Sequence, residues 1–321
     1  MVTGAGGSGG DGNVRPLPYA GRHRRQAWRH PASGAVATGL GRVRLSARGA
    51  ARLSNLRLRR RRTMIETFAA LLVAHVAADF LLQTGWMADN KRRALPLLSH
   101  AGVVLATAAI ATGQPAHVAL LVLVGIHALI DIAKARIPAA RGALGFLLDQ
   151  AAHLATLAGI AAWAPKLWNT GLWAAAPPIV LQIATLAAAL VLITQGGRYF
   201  VATLMQDIEL PVPALNAPDA DADAEDAAAD AKGLPRGGLV IGVLERAMIF
   251  ILIAAGQPAA IGFLIAAKSV LRFGTVQENR AASEYVIIGT LASFGWAIAI
   301  TLLCETLRSA LPPLEILPPN P

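Results

Sequence analysis

From Met64 onward the chain is a succession of apolar stretches, each close to the roughly 20 residues an α-helix needs to cross a bilayer. Eight are readable, at about 65–83, 97–113, 117–135, 144–163, 177–196, 239–255, 258–272 and 284–304. The seventh is short, as a tilted or re-entrant helix would be. Runs of this kind leave few architectures open, because a backbone amide in hydrocarbon must find its partner within its own segment. The expected fold is an all-α polytopic helical membrane protein with about eight transmembrane helices. Five form a front group and three a back group. Composition agrees, since 55% apolar and 15% charged residues with a mean hydropathy of +0.51 are too oily for an ordinary soluble domain. A single cysteine, Cys304, excludes disulfides within the chain and zinc sites built from several thiolates.

The net charge of +10 belongs to one end of the chain. Residues 1–63 hold 14 arginines, no lysine and one acid, Asp11, which is +13; residues 64–321 hold 15 bases and 18 acids, which is −3. The first 63 residues are rich in Gly, Arg, Ser and Ala without an apolar period, and are expected to be a disordered extension. No apolar core precedes Met64, so a cleavable signal peptide is not expected. The Arg57–Arg62 run has charge enough for anionic lipid or nucleic acid. Membrane lipid is the expected partner; nucleic acid is not.

Lysine and arginine in the loops orient the spans. Lys91, Arg92, Arg93, Lys134, Arg136, Arg141, Arg198, Lys232, Arg236, Arg272 and Arg280 fall on one side, against Lys166 and Arg308 on the other. Eleven against two makes the first side cytoplasmic and puts both ends of the eight-span unit outside. The arginine-rich extension would then have to be translocated, which the same rule disfavours, so translation is expected to start at Met64. Trp86, Trp163, Trp168 and Trp173 sit at span ends, where interfacial anchors belong. The remaining divisions are a front unit over 64–203, an acidic disordered linker over 204–237, a back unit over 238–308 and a Pro-rich tail over 309–321.

Three His–Asp pairs lie inside the front spans, where ionisable groups are costly and mark function. They are His75 with Asp79, His127 with Asp131, and Asp149 with His153. A spacing of four puts each pair on one helix face. The third pair is written in reverse order on a span running the other way, so histidines share one level and aspartates another, about one turn nearer the cytoplasm. His100, at the inward end of the second span, falls near the aspartate level. Gln83 and Gln150 stand at the expected cytoplasmic mouth.

Such a set suits a divalent metal, with mixed N/O ligands fitting Zn, Mn or Fe. The candidate ligands are His75, Asp79, His100, His127, Asp131, Asp149 and His153; Asp79, Asp131 and Asp149 are also the candidate catalytic carboxylates. A bound metal would activate water against a lipid-linked ester or phosphate. A proton- or cation-coupled transporter can use the same residues as a relay. A non-catalytic scaffold can use them as buried hydrogen-bonded pairs that specify helix packing. In the back group, Glu245 and Lys268 fall at similar depth on antiparallel spans and are expected to form an ion pair. Arg246, Lys268 and Arg272 offer an alternative anionic headgroup site. Gly238 and Gly242 form a GxxxG pattern suited to close helix approach.

The segments HVAADFLLQTGWMADNK (75–91), SH (99–100), HALIDIAK (127–134) and FLLDQAAH (146–153) together resemble a bacterial multi-pass membrane family, domain of unknown function 3307. The resemblance is close over about 65–160. GLVIGVLERAMIF, IGFLIAAKSVLRF and SEYVIIGT are similar to its longer members. It implies a location in the bacterial inner membrane and implies no reaction.

Overall fold

A computed structural model describes residues 47–137, 142–208, 237–272 and 280–313. Among them there is no strand. Helix α1 is described from Ala47 to Ala77 and runs on through a π-helical turn, Ala78–Leu82, before the chain breaks at Gln83. The Thr84 hydroxyl, accepting from the Met87 amide, then starts the short α2, Gly85–Asp89. Helices α3 (Ala94–Thr112), α4 (Val118–Arg136) and α5 (Ala143–Trp163) follow, with a single turn, α6 (Leu167–Thr170). Pro178 opens α7 (Pro178–Val191) from the position where its missing N–H costs nothing. A second π turn, Leu192–Gly196, joins α7 to α8 (Gly197–Asp207). The back group is α9 (Gly237–Ala254), α10 (Ala260–Arg272) and α11 (Arg280–Ala310).

Seven of the described helices or joined helices are long and apolar enough to cross a membrane. They match seven of the eight expected spans. The remaining one, the seventh, over 258–272, is the exception: α10 has 13 residues, about 20 Å at 1.5 Å per residue, against a hydrocarbon core of about 30 Å. The first span also departs from expectation. Residues 47–63, expected to lack structure, continue α1 as helix through Arg57–Arg62. The acidic linker, expected over 204–237, begins later than expected, since Leu204–Asp207 still belong to α8; its residues 209–236, residues 1–46 and the tail from 314 lie outside the described residues.

The packing is inside out relative to a soluble protein. Phe263 is 80% exposed and Leu95, Ile110, Leu144 and Val270 each 68%, whereas His100 and Thr301 are fully buried. Apolar groups outside and polar groups within is what lipid, not water, selects. The chain is a polytopic helical membrane protein.

Helix α1 is the hub, packing on α3, α5, α7 and α11. Its buried Ala69, Ala70, Ala74 and Ala78 keep those neighbours close. Above the His–Asp level, Leu71, Leu120, Leu123, Leu157 and Leu167 close the front group. Ile193, Ile249, Phe250 and Phe294 do the same behind. Close helix approach falls at Gly196 and Gly197, where an added Cβ would meet Trp296 and Arg246. The GxxxG glycine Gly242 instead has the Arg246 guanidinium of its own helix as its nearest neighbour. Of the expected anchors, Trp163 and Trp86 are exposed, but Trp168 packs beside Ala69, Ala70 and Leu181.

The end of the bundle opposite Lys91 and Lys134 is locked by a turn-on-turn contact. Gly113 caps α3 in the left-handed region at φ 66° and its carbonyl accepts from Leu172 N–H at 3.0 Å. Trp173 Nε1 donates to the Ile110 carbonyl at 2.7 Å. A Cβ on Gly171 would lie 2.1 Å from the Thr112 carbonyl oxygen, a backbone atom that cannot step aside. Gly171→Ala is therefore expected to destabilise the detergent-solubilised protein by roughly 1–3 kcal/mol. Gly102→Ala, on an exposed helix face where a Cβ meets nothing, is neutral or stabilising. Thermal melts followed by tryptophan fluorescence compare the two, and equal melting points would refute the lock.

Candidate metal centre

Each of the three four-residue spacings delivers its pair as expected. His75 Nδ1 lies 3.7 Å from Asp79 Oδ2, His127 Nε2 3.7 Å from Asp131 Oδ2, and His153 Nδ1 3.8 Å from Asp149 Oδ1. The pairs then converge. The ring of His153 stands 4.1 Å from that of His127 and stacks at 5.1 Å on that of His75. His100 joins from α3, its ring 5.2 Å from that of His127. All four imidazoles and all three carboxylates belong to one buried cluster spanning α1, its π turn, α3, α4 and α5. Asp79 sits in the π turn, a helix irregularity that recurs at functional sites.

The tightest part of the cluster is a set of four atoms. His100 Nε2 and His127 Nε2 are 3.1 Å apart. Asp79 Oδ1 lies 3.5 Å from the first and 3.6 Å from the second. Asp131 Oδ2 lies 3.6 Å from the first and 3.7 Å from the second. With metal–ligand bonds of about 2.0–2.2 Å, the edges of a coordination tetrahedron are about 3.3–3.6 Å. These five of the six separations bracket that length, and His100, His127 and Asp131 offer ligand atoms all within 4.8 Å of one another. His75, Asp79 and His127 form a second group of potential ligands, and Asp131, Asp149 and His153 a third, each with its atoms within 4.8 Å of one another.

Hydrogen bonds set the tautomers of the flanking histidines, whereas the contact between His100 Nε2 and His127 Nε2 is itself a hydrogen bond that needs a proton on one of the two. A carboxylate only accepts, so Gln150 turns its Nε2 to Asp149 Oδ2 at 3.2 Å and its Oε1 to His75 Nε2 at 3.3 Å. A neutral His75 therefore carries its proton on Nε2 and points a bare Nδ1 at Asp79. His153 donates from Nδ1 to the Asp149 carbonyl at 2.8 Å, leaving Nε2 bare. Six buried atoms of the cluster have no hydrogen-bond partner in the chain: His75 Nδ1, Asp79 Oδ1, His100 Nδ1, Asp131 Oδ2, Asp149 Oδ1 and His153 Nε2. Buried polar atoms are normally satisfied, and such a concentration of lone pairs and carboxylates could hold a cation. Gln150→Leu is expected to weaken metal binding by about 10–100-fold without touching a ligand, through loss of the His75 tautomer. A chelator-competition titration with Zn²⁺ measures it, and unchanged affinity would show that the tautomer is immaterial.

Two residues escaped the sequence reading. Lys91 Nζ lies 2.6 Å from Asp131 Oδ1, and Lys134 Nζ 2.8 Å from Asp149 Oδ2. Both counted only as markers of the cytoplasmic side. Lys134 sits three residues after Asp131, so its face was readable; Lys91 meets Asp131 across 40 residues, which no local spacing reveals. Below the cluster, at the lysine end, opens a cavity of about 600 Å³ lined by Asp79, Asp131 and Asp149, by Gln83 and Gln150, and by Phe80, Phe146, Tyr199 and Thr203 among others.

Residues 67–175 match the family model described as a protein of unknown function, DUF3307. The match bears out the resemblance. All seven cluster residues, Lys91 and Lys134 fall inside the DUF3307 segment, so the candidate centre is built entirely from it. The cavity's Tyr199 and Thr203 and the whole back group lie beyond it. No curated protein and no solved structure matches the chain.

In the back group Lys268 Nζ meets Glu245 Oε2 at 2.5 Å, with both side chains buried. The expected ion pair is present. Arg246 Nη1 donates to Ser293 Oγ at 3.0 Å. The Arg272 side chain, part of the alternative headgroup site, lies outside the described residues.

Proposed function

We propose that the DUF3307 segment holds a divalent metal ion, of the Zn, Mn or Fe type, and hydrolyses a lipid-linked ester or phosphate in the bacterial inner membrane. The observation that carries this is the convergence of His100, His127, Asp79 and Asp131, with five of their six separations close to the edge length of a coordination tetrahedron. A metal in such a shell polarises a substrate oxygen and acidifies water. The chain's own contribution divides among the aspartates. Asp79 and Asp131 face both imidazoles. Asp149 borders the cavity with Oδ1 unpartnered and Oδ2 held by Lys134 and Gln150, which places it to take a proton from the attacking water. His75 and His153 flank the set and complete it or hold a second ion with Asp149.

Elemental analysis of the detergent-purified full chain tests the proposal. At least one equivalent of divalent metal per chain is expected, lost in a His100→Ala/His127→Ala variant. Metal-free protein would overturn it. A second reading, proton or cation passage, is favoured by the near-continuous line of rings from His100 through His127 and His153 to His75. Metal-free protein that carries a pH-dependent flux in liposomes would select that reading instead.

A further inference from the structure

The cavity beneath the candidate centre has a charge pattern that selects its ligand. Four carboxylates line it, Asp79, Asp89, Asp131 and Asp149, against three cations, Lys91, Arg92 and Lys134. The balance is −1 without a metal and +1 with a single dication, so a cavity that would repel anions when bare attracts them once loaded. Its cations are placed at the entrance. The Lys91 side chain is 14% exposed and that of Lys134 35%. Arg92 anchors its Nε on the Ala135 carbonyl at 3.0 Å. Lys134 Nζ also stands 5.9 Å above the Phe146 ring.

The other wall is aromatic. Phe80 lies between Phe146, with ring centroids 6.5 Å apart, and Tyr199, at 6.2 Å. Those rings come from three elements, the π turn after α1, α5 and α8. They give the cavity an apolar side next to its cationic one, in a bundle whose outer face is made for lipid. A small soluble anion has no use for that wall, and a neutral lipid has none for the lysines.

We infer that the cavity takes a phosphate ester carried on a lipid, with the phosphate accepting from Lys91 and Lys134 in place of Asp131 and Asp149. This rests on the metal reading for its charge balance. Lysine is suited to the exchange. Its ammonium is a point charge on a flexible stem, able to leave a carboxylate for a phosphate without matching a fork geometry. The exchange also takes Lys134 off Asp149 Oδ2 as substrate arrives, leaving it the Gln150 bond alone. Lys91 and Lys134 thus act as recognition residues.

The test uses metal-loaded full chain in detergent and native mass spectrometry with three probes: dioleoyl phosphatidate, dioleoylglycerol and inorganic phosphate. Phosphatidate is expected to be retained at least about tenfold over dioleoylglycerol, with inorganic phosphate failing to displace it at equal concentration. In Lys91→Gln/Lys134→Gln the preference falls to near one, and Lys91→Arg/Lys134→Arg restores part of it. Should the double variant not fold, Lys134→Gln alone, at the more exposed lysine, is expected to lose at least half the preference. Retention of the full preference in the glutamine variants, or equal binding of dioleoylglycerol, overturns the inference. Displacement by inorganic phosphate overturns its lipid part. Metal content is read on the same samples: unchanged metal with lost selectivity supports the lysine roles. Metal-free native protein sinks the metal reading separately, whatever the lipid result.

Discussion

An Asp131→Asn protein is expected to fold and reach the membrane fraction, yet to bind Zn²⁺ more than about 100-fold more weakly than the native chain. That exceeds the 10–100-fold typical of residues that only support a ligand. Asp131 is almost fully buried, with Oδ2 facing His100 and His127 and Oδ1 against Lys91. The amide keeps the shape and removes the charge, so what is lost is attraction for the cation. Two companion variants separate this from a broken ion pair. Lys91→Gln also breaks the Lys91–Asp131 pair, but leaves the carboxylate free for metal and keeps or raises the affinity. Asp149→Asn removes the proposed base outside the four-atom set and is expected to keep most of the bound metal. A chelator-competition titration ranks the three. If Lys91→Gln lost as much affinity as Asp131→Asn, the ion pair rather than coordination would explain both. Stability changes little in Asp131→Asn, because Lys91 is near enough to the mouth to turn its ammonium outward.

Most of the front group was legible before folding because two periodicities coincide there. Apolar runs near 20 residues announce spans, and a spacing of four puts a histidine and an aspartate on one face. The reversed order in Asp149 and His153 carried the further information that an antiparallel span would bring its pair to the same depth. The structure adds what spacing cannot hold. His100 lies at the aspartate level as expected, but its 3.1 Å approach to His127 is a meeting of α3 with α4 that local pattern does not encode. The π turn at Ala78–Leu82 is likewise invisible to a count in fours. The extent of α1 was misjudged for a different reason. Hydropathy stops where Arg57–Arg62 begins, yet arginine, leucine and alanine are strong helix formers, so the helix continues where the apolar run ends. The seventh segment erred the other way: apolar composition over 258–272 includes the turn before Ala260, and only 13 residues are helix.

Lys268→Met is expected to destabilise the protein by roughly 3–5 kcal/mol, the usual loss when one member of a buried ion pair is removed. The pair joins α9 to α10, an otherwise lightly packed helix, at 2.5 Å, with Phe294 under the ammonium at 5.3 Å. Removing the lysine leaves the buried Glu245 carboxylate without the ammonium it pairs with. Glu245→Gln/Lys268→Met should recover most of that loss, since an amide beside a thioether carries no charge into the apolar core. Each protein, together with Glu245→Gln alone, is unfolded by denaturant in mixed micelles, and the cost of the double variant less the costs of the two singles gives the coupling. A double variant as unstable as the single would mean that Glu245 is held through Arg246 and Ser293 as well. The short α10 suits the comparison: with 13 residues it has little surface to bury, so loss of Lys268 is expected to loosen its attachment to the bundle.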